Sequence, residues 1–475
     1  MFDYYENKKI DFDKLPCLTR DILRDYLIPK HPAVDPACLL NVLNVLLARV
    51  VQFNRVKTYD APHYPIANYY AINFQPTGTE KDKPYKALNE EIFRDFIEFY
   101  ESKSKEAKEK MEFEIKREAV MKYSDLKLEK ERQKYIVEET DKIRDMRPFH
   151  SSGSPQALAK DCQTYHNAQF GSLFIKINEI ASFLDSQNSM NQDFLSLLLD
   201  LYDGDINLPS YVNEKKYYKL DKIPTNLLFY GTPSQIYEGG IAQKNFKKIL
   251  SHGFLRRIFI SCMDYVSMPE DFSKEEEINK QCTQKSYSLR RRVNEIYKKC
   301  PLNTVFNFTL ESRKIHADYK TKMAKLYNSL LKTKNELILD EIRGRQYKVM
   351  KLSTIIACCE HPEEAIIKVE DVEYAIYQTE MLSASLEIFF DKLNELPTEK
   401  LAQFFIDNLN SEFNPTNLQR LNLIPKDKPK DWLKNNIELV EQFIIDKGYR
   451  LQVKEGYNKR GSIFKCVNYV DYGDI

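Results

Sequence analysis

The sequence predicts an α/β fold built on an open parallel sheet, and two segments carry that prediction. Residues 69–88, YYAINFQPTGTEKDKPYKAL, run an apolar strand into a turn-rich loop and then a helix. Residues 172–184, SLFIKINEIASFL, supply a second apolar strand that ends in a carboxylate. Short, nearly continuous apolar runs bounded by turn residues are what strands covered on both faces require. Such sheets take their ligands beyond the carboxyl ends of the strands.

The first loop is read against G-x-x-x-x-G-K-[S/T], in which glycines let backbone amides wrap phosphate, a lysine reaches the β and γ phosphates, and a hydroxyl holds magnesium. Lys81 takes the lysine position. Gln75 and Glu80 stand where the two glycines would be and Asp82 replaces the hydroxyl, so the loop is degenerate. Pro76, Thr77, Gly78 and Thr79 keep its turn-forming character. Taken alone, it reads more readily as an ordinary strand-to-helix turn than as a nucleotide site.

Its partner is the run 173–177, which carries one lysine, Lys176, expected near the edge of the strand, and is followed by Asn178 and Glu179. In nucleotide-driven motors the first residue of such a pair is usually an aspartate on magnesium and the second polarises the attacking water. Glu179 is available for the water. Asn178 has lost the charge, and Asp82 is expected to return a carboxylate to the metal. The plainer alternative is that Asn178 and Glu179 merely end a strand and start a helix.

In their order and spacing, the loop, the strand ending in Asn178-Glu179, and the later segments LLFYGTPSQIYEGG and GFLRRIFIS resemble a family of phage and mobile-element AAA+ ATPases. That family is related to the minichromosome-maintenance and superfamily 3 helicases, and the resemblance covers about residues 15–396. It implies an AAA+ P-loop NTPase core using ATP and Mg2+. Gly78, Thr79, Lys81 and Asp82 would bind nucleotide, Asp82 and Asn178 the metal, and Glu179 would be catalytic. The strand 227–230 would carry the γ-phosphate sensor, with Thr232 or Ser234 as its polar tip. Arg257, with Arg256 as the fallback, would reach into a neighbouring subunit's site and stabilise charge on the transferring phosphoryl group. The alternative for that pair is a solvated basic surface. Arg343 or Arg345 would be the lid arginine that senses nucleotide.

Composition sets bounds on the rest. The 475 residues leave room for two to four domains. The 71 lysines and arginines nearly cancel the 70 aspartates and glutamates, so any DNA contact has to come from local patches. Arg290, Arg291 and Arg292 form the strongest basic cluster, as suited to a solvated surface as to DNA. Nine scattered cysteines without a C-x-x-C pair fit a reducing cytoplasm, the host's if the chain is phage-encoded, and argue against structural zinc. The apolar region 39–53 is interrupted by Asn41, Asn44 and Arg49 and reads as too short for a membrane span.

Along the chain the expected order is an N-terminal helical region (1–68), the ATPase core (69–270), a helical lid (271–396) and a winged-helix domain (397–475). Within the core, 89–147 is rich in lysine and glutamate with a sparse apolar stripe. It predicts one long solvated helix or a helical hairpin, with a charged disordered linker as the alternative. The last domain reads as three helices and a hairpin, with Trp432 anchoring the longest helix and Lys459 and Arg460 at the wing tip for DNA contact.

The expected function is an ATP-dependent DNA motor of phage or plasmid replication, a ring, by expectation a homo-hexamer, with primase or polymerase as partners. The competing readings are a decayed AAA+ scaffold or DNA-binding protein, favoured by Glu80 beside the phosphates, and a helicase loader or remodeller.

Overall fold

The apolar runs become the strands of a covered sheet. The computed structural model describes residues 10–60, 62–124, 128–141, 143–147, 155–185, 189–204, 222–237, 241–263, 273–332, 336–384, 386–394, 397–421, 423–424, 429–454 and 462–468. Its strands are β1 (Lys57–Thr58), β2 (Tyr70–Phe74), β3 (Leu173–Ile177), β4 (Thr225–Gly231), β5 (Ile258–Cys262), β6 (Val305–Phe308), β7 (Ile366–Ile367), β8 (Glu412–Phe413), β9 (Tyr449–Lys454) and β10 (Ile463–Asn468).

The central sheet is parallel throughout, in the order β3-β4-β2-β5. Tyr70 pairs with Leu227 on one side and Ile258 on the other, so Phe74, Gly231 and Cys262 end the three strands in register. Every residue of β2, β3 and β4 is buried, which is why these segments lack polar alternation. Lys176 sits in β3, which forms one edge of this sheet among the described residues.

Helix Pro36–Phe53 packs on β2, β4 and β5. This N-terminal helix thus lies in the same compact unit as the sheet. Over its 18 residues the mean hydropathy is 1.6, long and apolar enough to cross a membrane, yet 94% of it is buried inside the protein. Several of its polar residues find partners inside the protein. Asn41 donates to Asn73 at 3.1 Å and accepts from the Tyr69 hydroxyl at 2.7 Å. Asn44 donates to Gln378 at 2.8 Å. The Arg49 guanidinium lies 5.3 Å from the Phe174 ring centroid and 5.6 Å from those of Phe96 and Tyr100, an aromatic cage for a buried cation.

The charged segment forms a helical hairpin. Helix Arg94–Lys122 is followed by Glu129–Thr140, and the Tyr123 and Tyr135 rings meet at 5.8 Å, with Lys122 over Tyr135 at 4.4 Å. Sparse burial, at Met111 and Ala119 in its outer part, explains the weak apolar stripe.

Helices Glu275–Lys299, Leu310–Leu330, Glu336–Glu360 and Val369–Ser383 belong to the same compact unit as the sheet, which covers 1–232 and 249–386. A small parallel sheet, β1-β6-β7, also lies there, so the expected lid is not purely helical. Gly344 lets helix Glu336–Glu360 reach the backbone of Arg256, because a Cβ there would fall 2.5 Å from the Arg256 Cα.

The second compact unit comprises 233–248 and 387–475. Helices Pro397–Asp407, Pro415–Arg420 and Pro429–Asp446 pack with an antiparallel sheet, β8-β10-β9. Leu401, Phe405, Leu418, Val440, Ile444 and Phe464 build its core, and Trp432 packs against it partly buried. The hairpin appears where expected, with the short strand β8 as an addition. Lys459 and Arg460 lie outside the described residues.

Candidate active site

Three side chains converge at the carboxyl ends of the central strands. β2 delivers the loop with Lys81, Glu179 lies two residues past the end of β3, and Thr232 directly follows β4, which runs between them. Lys81 Nζ donates to Glu179 Oε2 at 3.0 Å and to Thr232 Oγ1 at 3.2 Å. The Thr232 hydroxyl in turn donates to the same carboxylate oxygen at 3.3 Å. Glu179 Oε1 is buried without a protein partner among the described residues. Ser234, the alternative tip, is exposed on the following short helix, so Thr232 is the polar residue that joins the cluster.

The loop itself has the conformation its sequence disguises. Gly78 has φ 90° and Glu80 φ 53°, both left-handed. Glu80 thus adopts, at a cost, the backbone that the glycine in this position adopts freely. Thr79 steadies the turn by donating from its hydroxyl to Pro76 O at 2.9 Å. Among the described residues, the amides of Thr77, Gly78, Thr79, Glu80 and Lys81 donate to no protein acceptor. Free amides around alternating left-handed residues make a concavity suited to an anion. Gln75 adds a further group. It is 1% exposed, and both polar atoms of its side chain lack a protein partner.

The charges around this concavity are paired off. Glu80 meets Lys83 at 2.5 Å, and Asp82 meets Lys86 at 2.6 Å. The Lys86 hydrogen bond holds the Asp82 carboxyl below the usual carboxylate range. Lys176 Nζ donates to Asn178 Oδ1 at 2.6 Å, and burial lowers the lysine's pKa from its ordinary value. The magnesium pairing expected of Asp82 and Asn178 is therefore not formed: each oxygen donor is held by an ammonium group. This donor set does not fit a resident divalent ion, which prefers carboxylates and water to a neutral amide already bound to a cation.

The expected arginines lie elsewhere in the same unit. Arg257 chelates Asp203 with its Nε and Nη2 and donates to Gly253 O at 2.8 Å. Arg256 grips Asp340 through Nε at 3.1 Å and Nη2 at 2.5 Å. Arg343 is half exposed, 3.9 Å from Asp340 and over the Tyr327 ring. Arg345 is largely covered, bound to Glu341 at 2.7 Å and Glu380 at 3.0 Å. None of the four touches Lys81, Glu179 or Thr232 among the contacts of the described residues.

The basic cluster also divides. Arg290 donates to Glu91 O and faces Asp95, and Arg292 pairs with Asp21 at 2.7 Å. Arg291 alone of the three is strongly exposed, with 85% of its side chain accessible. Sequence reasoning missed Lys176 and Gln75 as site residues. A lysine two positions before Asn178, on the same face of a strand, is the signal that pointed there.

No protein-family model matches this chain, and no curated protein matches it either.

Proposed function

We propose that the first unit binds and hydrolyses a nucleoside triphosphate and that the whole chain is an ATP-driven DNA motor of the AAA+ type. The observation that carries this reading is the convergence of Lys81, Glu179 and Thr232, each within 3.3 Å of the next, beside a loop of unpaired amides. The chemistry follows from the pairing. An arriving triphosphate competes for Lys81, which moves from the Glu179 carboxylate to the β and γ phosphates. Glu179 is then free, through Oε1 and Oε2, to take a proton from the attacking water. Thr232 is placed to follow the change, its hydroxyl turning from the carboxylate to the γ-phosphate. ATP is the proposed nucleotide, and magnesium enters no step of this reading.

DNA as the partner rests on the second unit. Three helices and an antiparallel three-stranded sheet in this order support a winged-helix reading. Assembly into a ring, proposed as a hexamer, would employ Arg257 or Arg256 across a subunit boundary. Either arginine would first have to leave Asp203 or Asp340. A helicase loader or remodeller is the nearest variant of this proposal.

A second reading, a scaffold built on a decayed site, is favoured by one observation: Glu80 places a carboxylate within the loop and strains it. ATP binding by wild type and Lys81→Ala tests the two. The motor reading expects wild-type binding that weakens at least about tenfold in Lys81→Ala, a loss of roughly 1.4 kcal/mol. Absence of ATP binding by the folded wild type, with DNA binding retained, supports the scaffold.

A further inference from the structure

The phosphate end of the sheet holds a second ammonium with no counterpart in the loop pattern. Lys176 lies within β3, and strand alternation puts its side chain on the same face as that of Asn178. Its Nζ is 2.6 Å from Asn178 Oδ1, 4.6 Å from the Tyr85 ring centroid and 5.7 Å from that of Tyr230. Only 9% of the residue is exposed. Lys176 is thus a fixed charge held between two aromatic faces, not a lysine reaching for solvent.

Its position matters because Asn178 stands where a metal-holding carboxylate is expected. A carboxylate there would attract a divalent cation. The amide instead accepts a hydrogen bond from a cation that belongs to the chain. A divalent ion on the same oxygen would lie within about 4 Å of that ammonium, a distance at which two positive charges repel strongly in a partly buried site. The remaining charges agree. Lys83 and Lys86 pair with Glu80 and Asp82, and Lys81 with Glu179; among the described residues Lys176 forms no ion pair and shares the field of Asp82 with Lys86, so the group carries one positive charge in excess.

We infer that Lys176 takes the place of the divalent ion at this site, which therefore accepts the triphosphate as a metal-free polyanion. This inference rests on the nucleotide reading above and deepens it. Lys176 acts as a positioning charge beneath the loop, and its desolvation is met on folding rather than on binding.

Equilibrium titration of the full chain with ATP, in EDTA and in excess magnesium, tests it for wild type, Lys176→Met and Lys176→Arg. Wild type is expected to bind in EDTA within about threefold of its affinity in magnesium. Lys176→Met should lose roughly tenfold in EDTA, and Lys176→Arg, which keeps the charge, should stay near wild type. A wild type that requires magnesium for binding overturns the inference and leaves the nucleotide site standing. A wild type that binds ATP in neither buffer overturns both. If Lys176→Met fails to fold, the wild-type comparison between the two buffers still decides.

Discussion

Lys81 Nζ and Glu179 Oε2 lie 3.0 Å apart, with the Thr232 hydroxyl bonded to both. The cation expected to bind phosphate and the carboxylate expected to activate water neutralise each other until an anion competes. Both are partly exposed, at 21% and 28% of their side chains, so solvent screens the pair to about 1 kcal/mol at most. Glu179→Gln removes the competitor for Lys81. Its ATP affinity should therefore rise by a few fold, up to about fivefold, in a direct titration. Weaker binding by this variant would show that Glu179 helps hold the nucleotide instead.

Glu80 pays for a glycine's backbone at φ 53°. A left-handed residue with a Cβ costs about 1–2 kcal/mol. Glu80→Ala removes the carboxylate and keeps that cost, whereas Glu80→Gly removes both. Chemical denaturation should find Glu80→Gly the more stable of the two by about 1 kcal/mol, after allowance for the glycine's extra freedom in the unfolded chain. Both variants should bind ATP more tightly than wild type. Equal stability would mean that the loop relaxes around residue 80.

Lys351 is buried on helix Glu336–Glu360, donates to Tyr202 O at 2.9 Å and lies over the Tyr202 ring. Burial lowers its pKa to about 7, with Asp203 opposing the shift and Arg257 and Lys222 adding to it. An unfolded lysine titrates near 10.4, so between about pH 7 and 10 the unfolded chain binds more protons. Stability from this group thus rises with pH across that window, and the cost of burying it is fully present below pH 7. Lys351→Met should flatten the rise. Unfolding measured at pH 6 and pH 9 should show the difference between wild type and variant changing by about 2 kcal/mol. A constant difference would show that the lysine stays charged.

Phe405 is fully buried in the second unit, and Trp432, the sole tryptophan, packs against the same core. Phe405→Ala should destabilise this unit by about 3–5 kcal/mol. Tryptophan emission followed through a denaturant titration reports on the unit directly. An unchanged midpoint would show that this core does not set its stability.

Much of this fold was legible because buried strands announce themselves. The runs 70–74, 173–177 and 227–230 are apolar without interruption except at Asn73 and Lys176, and each became a strand of the central sheet. The C-terminal hairpin followed from β-prone residues on either side of a glycine-bearing turn. The strands β1 and β7 were not legible, since two residues carry no periodicity. The packing of the N-terminal helical region against the core was expected, whereas the partners of Asn41, Asn44 and Arg49 come from distant segments and carried no local signal. At the candidate site, Lys81 and Glu179 were singled out by position in a degenerate pattern, and Thr232, with Ser234 as its alternative, by the family resemblance. The pairing of Lys86 with Asp82, and the acids that hold Arg256 and Arg257, depend on folding and had no mark in the sequence.

ATP turnover by wild type and by Glu179→Gln, each with and without single-stranded DNA, tests the central claim most directly. Turnover that DNA stimulates and that falls at least about a hundredfold in Glu179→Gln is the predicted result. Equal turnover in the two proteins, or none in a wild type that still binds DNA, would contradict it.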